Sequence, residues 1–132
     1  VIVAGFGFRG GASEGSLADA LAQAERATGA RAQALATVAD KCEAPAFAAL
    51  ARATGLPARP VDSAALAAQQ VPTRSAASIA ARGTGSVAEA AALAAAGPGA
   101  RLLAPRTVSA DGAATCALAR DGRTAGRMEG SQ

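Results

Sequence analysis

Val1-Ile2-Val3-Ala4-Gly5-Phe6-Gly7-Phe8-Arg9-Gly10-Gly11 opens the sequence. An apolar, partly β-branched run that gives way to glycines predicts a buried strand over residues 1–6 and a glycine-rich turn over residues 5–11. Behind it Leu17, Leu21 and Ala24 keep helical spacing. Ser13 or Ser16 stands at one end of that run and Gly29 at the other, which predicts a helix closed by a left-handed glycine. Strand, glycine turn and helix together are the first unit of an α/β domain.

The same alternation continues downstream. Residues 35–38 predict a second strand, and Asp40 starts a helix running to Thr54, ahead of Gly55 and Pro57. Arg59-Pro60-Val61 predicts a short third strand, and Asp62 caps a short helix after it. Residues 69–72 read as a connector and 75–82 as another short helix. Ser86 opens the clearest helix, which Gly97-Pro98-Gly99 stops. Residues 101–104 and 114–119 predict strands, with Val108 extending the region between them and Asp111-Gly112 turning a hairpin. Strands separated by helices imply a sheet covered on both faces. The expected fold is a three-layer α/β/α sandwich, with a mixed sheet of about five strands and a C-terminal hairpin. Residues 1–120 form one domain in this reading and 121–132 a flexible tail.

Composition narrows the function classes. The chain has 132 residues, no Trp, Tyr or His, and Phe6, Phe8 and Phe47 as its aromatic residues. Its 13 basic and 10 acidic residues leave a formal charge of +3. The arginines are scattered and no aromatic platform accompanies them, so nucleic acid is not an expected partner. The modest positive charge favours an anionic ligand. Two distant cysteines, Cys42 and Cys116, make neither a disulfide framework nor a zinc spacing. Without His the usual Ser-His or Cys-His base and most first-row metal sites are missing, so no metal or cofactor is expected. The opening apolar run is too short for a membrane span, and the expected location is cytoplasmic.

Four short elements offer chemistry. Gly5-x-Gly7-x-x-Gly10 matches a dinucleotide fingerprint in spacing and offers backbone donors to an anion. No acidic residue ends the second strand where a ribose would need one: Asp40 lies about 30 residues after the motif instead of about 20. Arg9, inside the turn, either clamps a carboxylate or is solvated. Asp40-Lys41-Cys42-Glu43 reads as a capping box with Asp40 as N-cap and Glu43 at the third helical position. The box does not explain Lys41, the chain's single lysine, whose charge opposes the helix dipole. Lys41 is a candidate carboxylate contact, base or amine nucleophile, and Glu43 a candidate general acid or base. Cys42 is either a partial thiolate or a small buried hydrophobe. Gly83-Thr84-Gly85-Ser86-Val87-Ala88-Glu89 forms a second capping box, Ser86 with Glu89, at an open helix N-terminus. Thr84, Gly85, Ser86 and Glu89 are therefore candidate contacts for a phosphate or polycarboxylate. Arg106, after Pro105, either contacts an anion or is plain surface.

These four elements also carry a resemblance. Gly5-Phe6-Gly7-Phe8-Arg9-Gly10, then Ala39-Asp40-Lys41-Cys42-Glu43, then residues 78–93, then Leu102-Leu103-Ala104-Pro105-Arg106 with Ala114-Thr115-Cys116-Ala117-Leu118-Ala119, occur in the order of one family. In this respect the chain resembles the stand-alone CobE protein and the C-terminal domain of CbiG, both of cobalamin biosynthesis. That family often has Cys where Phe8 stands, so covalent thiol chemistry is not implied here. It usually has Lys where Arg106 stands, a change that keeps anion contact and removes amine chemistry. The resemblance implies a tetrapyrrole on its way to the corrin ring as ligand, in the aerobic route, with other cobalamin-pathway enzymes as partners. Three roles follow for the chain: a module that binds and delivers the precursor, an enzyme that opens a lactone or cleaves a carbon–carbon bond on it, or an accessory subunit without its own ligand.

Overall fold

A computed structural model of the protein describes residues 1–62, 64–65 and 84–122. Residues 69–72 and 75–82, read as a connector and a short helix, lie outside the described residues, as does the tail beyond Gly122.

The elements run β1 (Ile2–Phe8), α1 (Glu14–Thr28), β2 (Ala34–Val38), a single 3-10 turn (Ala39–Lys41), α2 (Pro45–Thr54), β3 (Ala58–Val61), α3 (Thr84–Ala96), β4 (Arg101–Leu102), β5 (Thr107–Val108) and β6 (Ala114–Arg120). They build a six-stranded mixed sheet in the order β3-β2-β1-β6-β4, with β5 also paired to β6. β1, β2 and β3 are parallel, and β6 lies antiparallel to β1 from Ile2↔Arg120 to Phe8↔Ala114. The sixth strand, beyond the five expected, is Thr107–Val108, which the apolar pattern shows only as Val108.

Strand alternation divides β1 between two cores. Ala4, Phe6 and Phe8 pack with Leu35 and Leu118 beneath α1 and α2, against Leu17, Leu21, Phe47 and Leu50. The chain's three rings gather there: Phe47 meets Phe6 edge-on at 5.8 Å and stacks on Phe8 at 6.1 Å. The opposite face belongs to α3, where Val3, Ala34, Ala36 and Val61 pack against Ala91.

Gly5 explains how α3 lies so close to that face. A Cβ at Gly5 would stand 2.1 Å from the Ala88 carbonyl oxygen and 2.4 Å from the Ala92 nitrogen. Gly5 and Gly7 are therefore buried strand residues, Gly5 directly under a helix of alanines, and the expected glycine turn is corrected. The turn begins only at Arg9, whose carbonyl accepts from the Ala12 N–H at 3.0 Å. Helix backbone occupies the open side of Gly5.

Both helix caps on α1 follow the sequence. The Ser13 hydroxyl accepts from the Ser16 N–H, and Gly29 closes the helix at φ 73°. The Asp40–Glu43 capping box does not form. α2 begins at Pro45 after Ala44, which is held at φ −59°, ψ 140°. Proline breaks or kinks a helix interior, favours the first turn, and disfavours helical geometry in the preceding residue. Asp40 and Glu43 are left exposed before the helix. The Ser86–Glu89 box is corrected as well: α3 is already helical at Thr84, so Ser86 is not its cap. The Asp62 carboxylate accepts from the Ala65 N–H at 2.8 Å; the short helix expected after it lies, beyond residue 65, outside the described residues.

The turn between β5 and β6 is fastened to the start of α1. Asp111 accepts from the Ser16 hydroxyl at 2.5 Å, the Ser109 hydroxyl at 2.6 Å and the Ala113 N–H at 3.1 Å. Nearby, Asp19 accepts from the Ala110 N–H at 2.7 Å. The Ser109 hydroxyl, then that of Ser16, pulls the Asp111 carboxyl from its ordinary 3.8 down to about 2. A carboxyl depressed in the folded state stabilises above its unfolded pKa, and that stability disappears as pH falls through the folded one. Asp111→Asn is thus expected to melt below the wild type at neutral pH. The gap should close between about pH 4 and about pH 2. Thermal unfolding of both proteins across that range is the check, and a constant gap would exclude the carboxylate as its source.

Candidate functional site

The carboxyl ends of parallel strands are where open α/β sheets take ligands, and here β1 and β2 part company at that edge. Their pairing stops at Gly5↔Ala36, while β1 continues to Phe8 and β2 stays with β3 as far as Val38↔Val61. Strand carbonyls that lose ladder partners need other donors, and side chains supply them. The Thr37 hydroxyl donates to the Phe6 carbonyl at 2.9 Å and that of Thr115 to the Gly7 carbonyl at 3.2 Å. Lys41 Nζ donates to the Phe8 carbonyl and lies 5.0 Å from the centre of the Phe8 ring. The Phe6 and Phe8 carbonyls are thus held from the β2 side by Thr37 and Lys41, while Gly7 stays in the ladder with β6 and gains the Thr115 hydroxyl as a further donor.

Lys41 arrives there because the 3-10 turn directly follows β2. Its ammonium sits at the split, half-buried, with Arg9 exposed one residue past the carbonyl it holds. Among the described residues neither cation has a carboxylate within ion-pair distance. Gly10 is exposed in the adjoining turn, with open space around it. Glu43 is exposed in the turn before α2, with no contact that marks it as an acid or base. Cys42 is not a thiolate: burial, then the Glu43 charge, push its thiol up. Burial pushes Cys116 well up too, as expected of a core thiol.

A second group lies on the α3 side. α3 leads into β4, which like β1 is antiparallel to β6, so α3 runs antiparallel to β1, with Ala88 and Ala92 over Gly5. Its first turn, Thr84-Gly85-Ser86, therefore lies level with the end of β1. Glu89, one turn further in, is fully buried and accepts from the Arg106 backbone N–H at 3.0 Å. Arg106 immediately precedes β5, whose Thr107 sends its hydroxyl to the Ala20 carbonyl on the α1 side. In register, Arg106 is level with Gly5, about 10 Å down the strand from Phe8. Lys41 and Arg9 lie at the β2 side of β1, Glu89 meets the Arg106 backbone, and β1 and β6 lie between Lys41 and Arg106.

Known proteins share this fold. Residues 2–119 match the family described as cobalamin synthesis G C-terminus. The chain belongs to that family. No curated protein matches it in sequence. Among solved structures, it is similar to the cobalamin biosynthesis protein chiG from Agrobacterium tumefaciens. The two are 38% identical over 92% of this chain and 98% of that one, with a TM-score of 0.71. CobE, a protein from the cobalamin (vitamin B12) biosynthetic pathway, is 32% identical over 91% of this chain and 89% of its own, with a TM-score of 0.78. A cobalamin biosynthesis protein G homologue from Sulfolobus solfataricus shares the fold at 18% identity and a TM-score of 0.67, with 36% of its length covered.

Within this cobalamin synthesis G C-terminal domain, sequence reasoning missed Thr37 and Thr115, whose hydroxyls hold the end of β1. Neither carries a local signal, since each acts on a neighbouring strand. No helix among the described residues is long and apolar enough to cross a membrane.

Proposed function

We propose that the protein binds a polycarboxylate corrin precursor across the carboxyl end of β1, in the aerobic route to cobalamin, and passes it to other enzymes of that pathway. One observation carries the reading: Lys41 and Arg9 stand at the split between β1 and β2 without a carboxylate partner among the described residues. A cation without a counter-charge at a strand-end crevice favours an anionic ligand. A macrocycle with carboxylates around its rim has acidic groups for Lys41 and Arg9 on one side of β1 and for Arg106 and the first turn of α3 on the other. The family membership supports a ligand from cobalamin biosynthesis.

The test is an anaerobic titration of the full chain with precursors of the pathway, followed by visible absorbance, with the ligand recovered and weighed by mass spectrometry. The expected result is a spectral shift with the ligand's mass unchanged. Lys41→Met should weaken binding by roughly tenfold, the loss of one charge-assisted contact. A changed ligand mass would make the protein an enzyme, and the absence of any shift would remove the binding reading.

A further inference from the structure

We propose that Arg106 is the residue that selects a free carboxylate on the ligand's rim over the corresponding amide. This inference rests on the corrin-precursor reading and adds the chemical form of the ligand to it.

The argument starts from a donor that lacks an acceptor. Among the described residues, Arg106 Nε is the buried side-chain polar atom with no hydrogen-bond partner. Leaving a buried donor unmatched is costly, and more so when the group is charged. Its surroundings do not leave Arg106 free to drift. The backbone N–H is held by the fully buried Glu89 carboxylate on one side, and the next residue is pinned by the Thr107 hydroxyl to the carbonyls of Ala20 and Cys116 on the other. The segment is fixed at both flanks while the edge of the guanidinium stays unmatched.

That edge has a definite preference. Nε and its neighbouring Nη present two parallel N–H groups, which a carboxylate accepts side-on with its two oxygens. A primary amide offers one oxygen and one NH₂, and the NH₂ would face an N–H of the arginine, donor against donor. A site whose buried donor is matched by one form and opposed by the other discriminates strongly between them. The ligand that satisfies Arg106 is therefore the free acid.

The experiment compares a dicyanocobalt corrin whose side chains are free acids with the same corrin carrying primary amides, each titrated into the full chain. Wild-type protein is expected to bind the acid form at least about tenfold more tightly. Arg106→Gln should lose roughly that factor for the acid form and stay within about twofold for the amide form, so the preference collapses. Arg106→Lys keeps the charge without the fork and should recover only part of the preference. Circular dichroism and melting of each variant establish that it is folded.

Two results for Arg106→Gln would overturn the proposal: an unchanged preference, or an equal loss for both ligands, which is the mark of a merely structural residue. Full recovery by Arg106→Lys would overturn the side-on geometry. Equal binding of both ligands by wild type would sink this inference and leave the binding reading standing. Binding of neither would sink both.

Discussion

Gly5→Val is expected to unfold the protein or drive α3 off the sheet. The first carbon of any side chain at Gly5 would stand 2.1 Å from the Ala88 oxygen, 2.4 Å from the Ala92 nitrogen and 2.9 Å from the Ala92 Cα, all backbone atoms of one helix. No rotamer change relieves such contacts, and α3 cannot retreat without opening the core it shares with Val3, Ala36 and Val61. Overpacking of a core usually costs about 1–3 kcal/mol, and a clash against backbone belongs at or above the upper end. A loss of about 3 kcal/mol corresponds to a fall in melting temperature on the order of 10 °C. Gly10→Ala is the control: nothing lies within 4 Å of its added carbon, so its midpoint should move little. Thermal melts of the two variants decide the matter, and a Gly5→Val protein as stable as wild type would show that α3 does not seat as described.

Glu89→Leu is expected to lose about 2–4 kcal/mol, because it leaves the Arg106 N–H without its acceptor and takes a hydrogen-bonded carboxylate out of a buried site. Glu89→Gln keeps an oxygen able to accept that N–H and should recover most of the loss. Urea unfolding gives the stability, and hydrogen exchange gives the cause. In the leucine variant the Arg106 amide should lose protection ahead of the β1–β6 ladder. If it exchanges no faster than in wild type, the contact is not what holds that segment.

What the sequence reveals, and what it hides, follows from how far each residue's partner lies. Ser13, Gly29 and Gly55 work within one turn of chain, and their positions mark helix ends without further information. The two capping boxes mislead because a Ser or Asp followed three residues later by Glu is a weak local preference. In one case Ala44-Pro45 overrides it by covalent geometry, and in the other a partner 17 residues away, Arg106, engages the glutamate. The glycine motif is ambiguous for a different reason. An absent side chain serves a turn and a close helix equally well, and only the alanines at positions 88 and 92 distinguish the two. Lys41 is conspicuous as the single lysine. Its place at the split of β1 from β2 depends on where pairing stops, which no local pattern encodes.

The strand order has a consequence for how the chain is made. Among the described residues β6 is the latest strand in sequence, and it lies inside the sheet, with β1 on one side and β4 and β5 on the other. A ribosome therefore delivers β1 more than a hundred residues before the strand that covers its flank. Until then β1 presents an open row of amides and carbonyls to any other extended chain. Completion of the sheet waits on a contact of very high sequence separation, a slow kind of closure. Chains interrupted before Ala114 would thus keep a sticky flank on their most apolar strand, and such fragments should accumulate in aggregates instead of as folded intermediates.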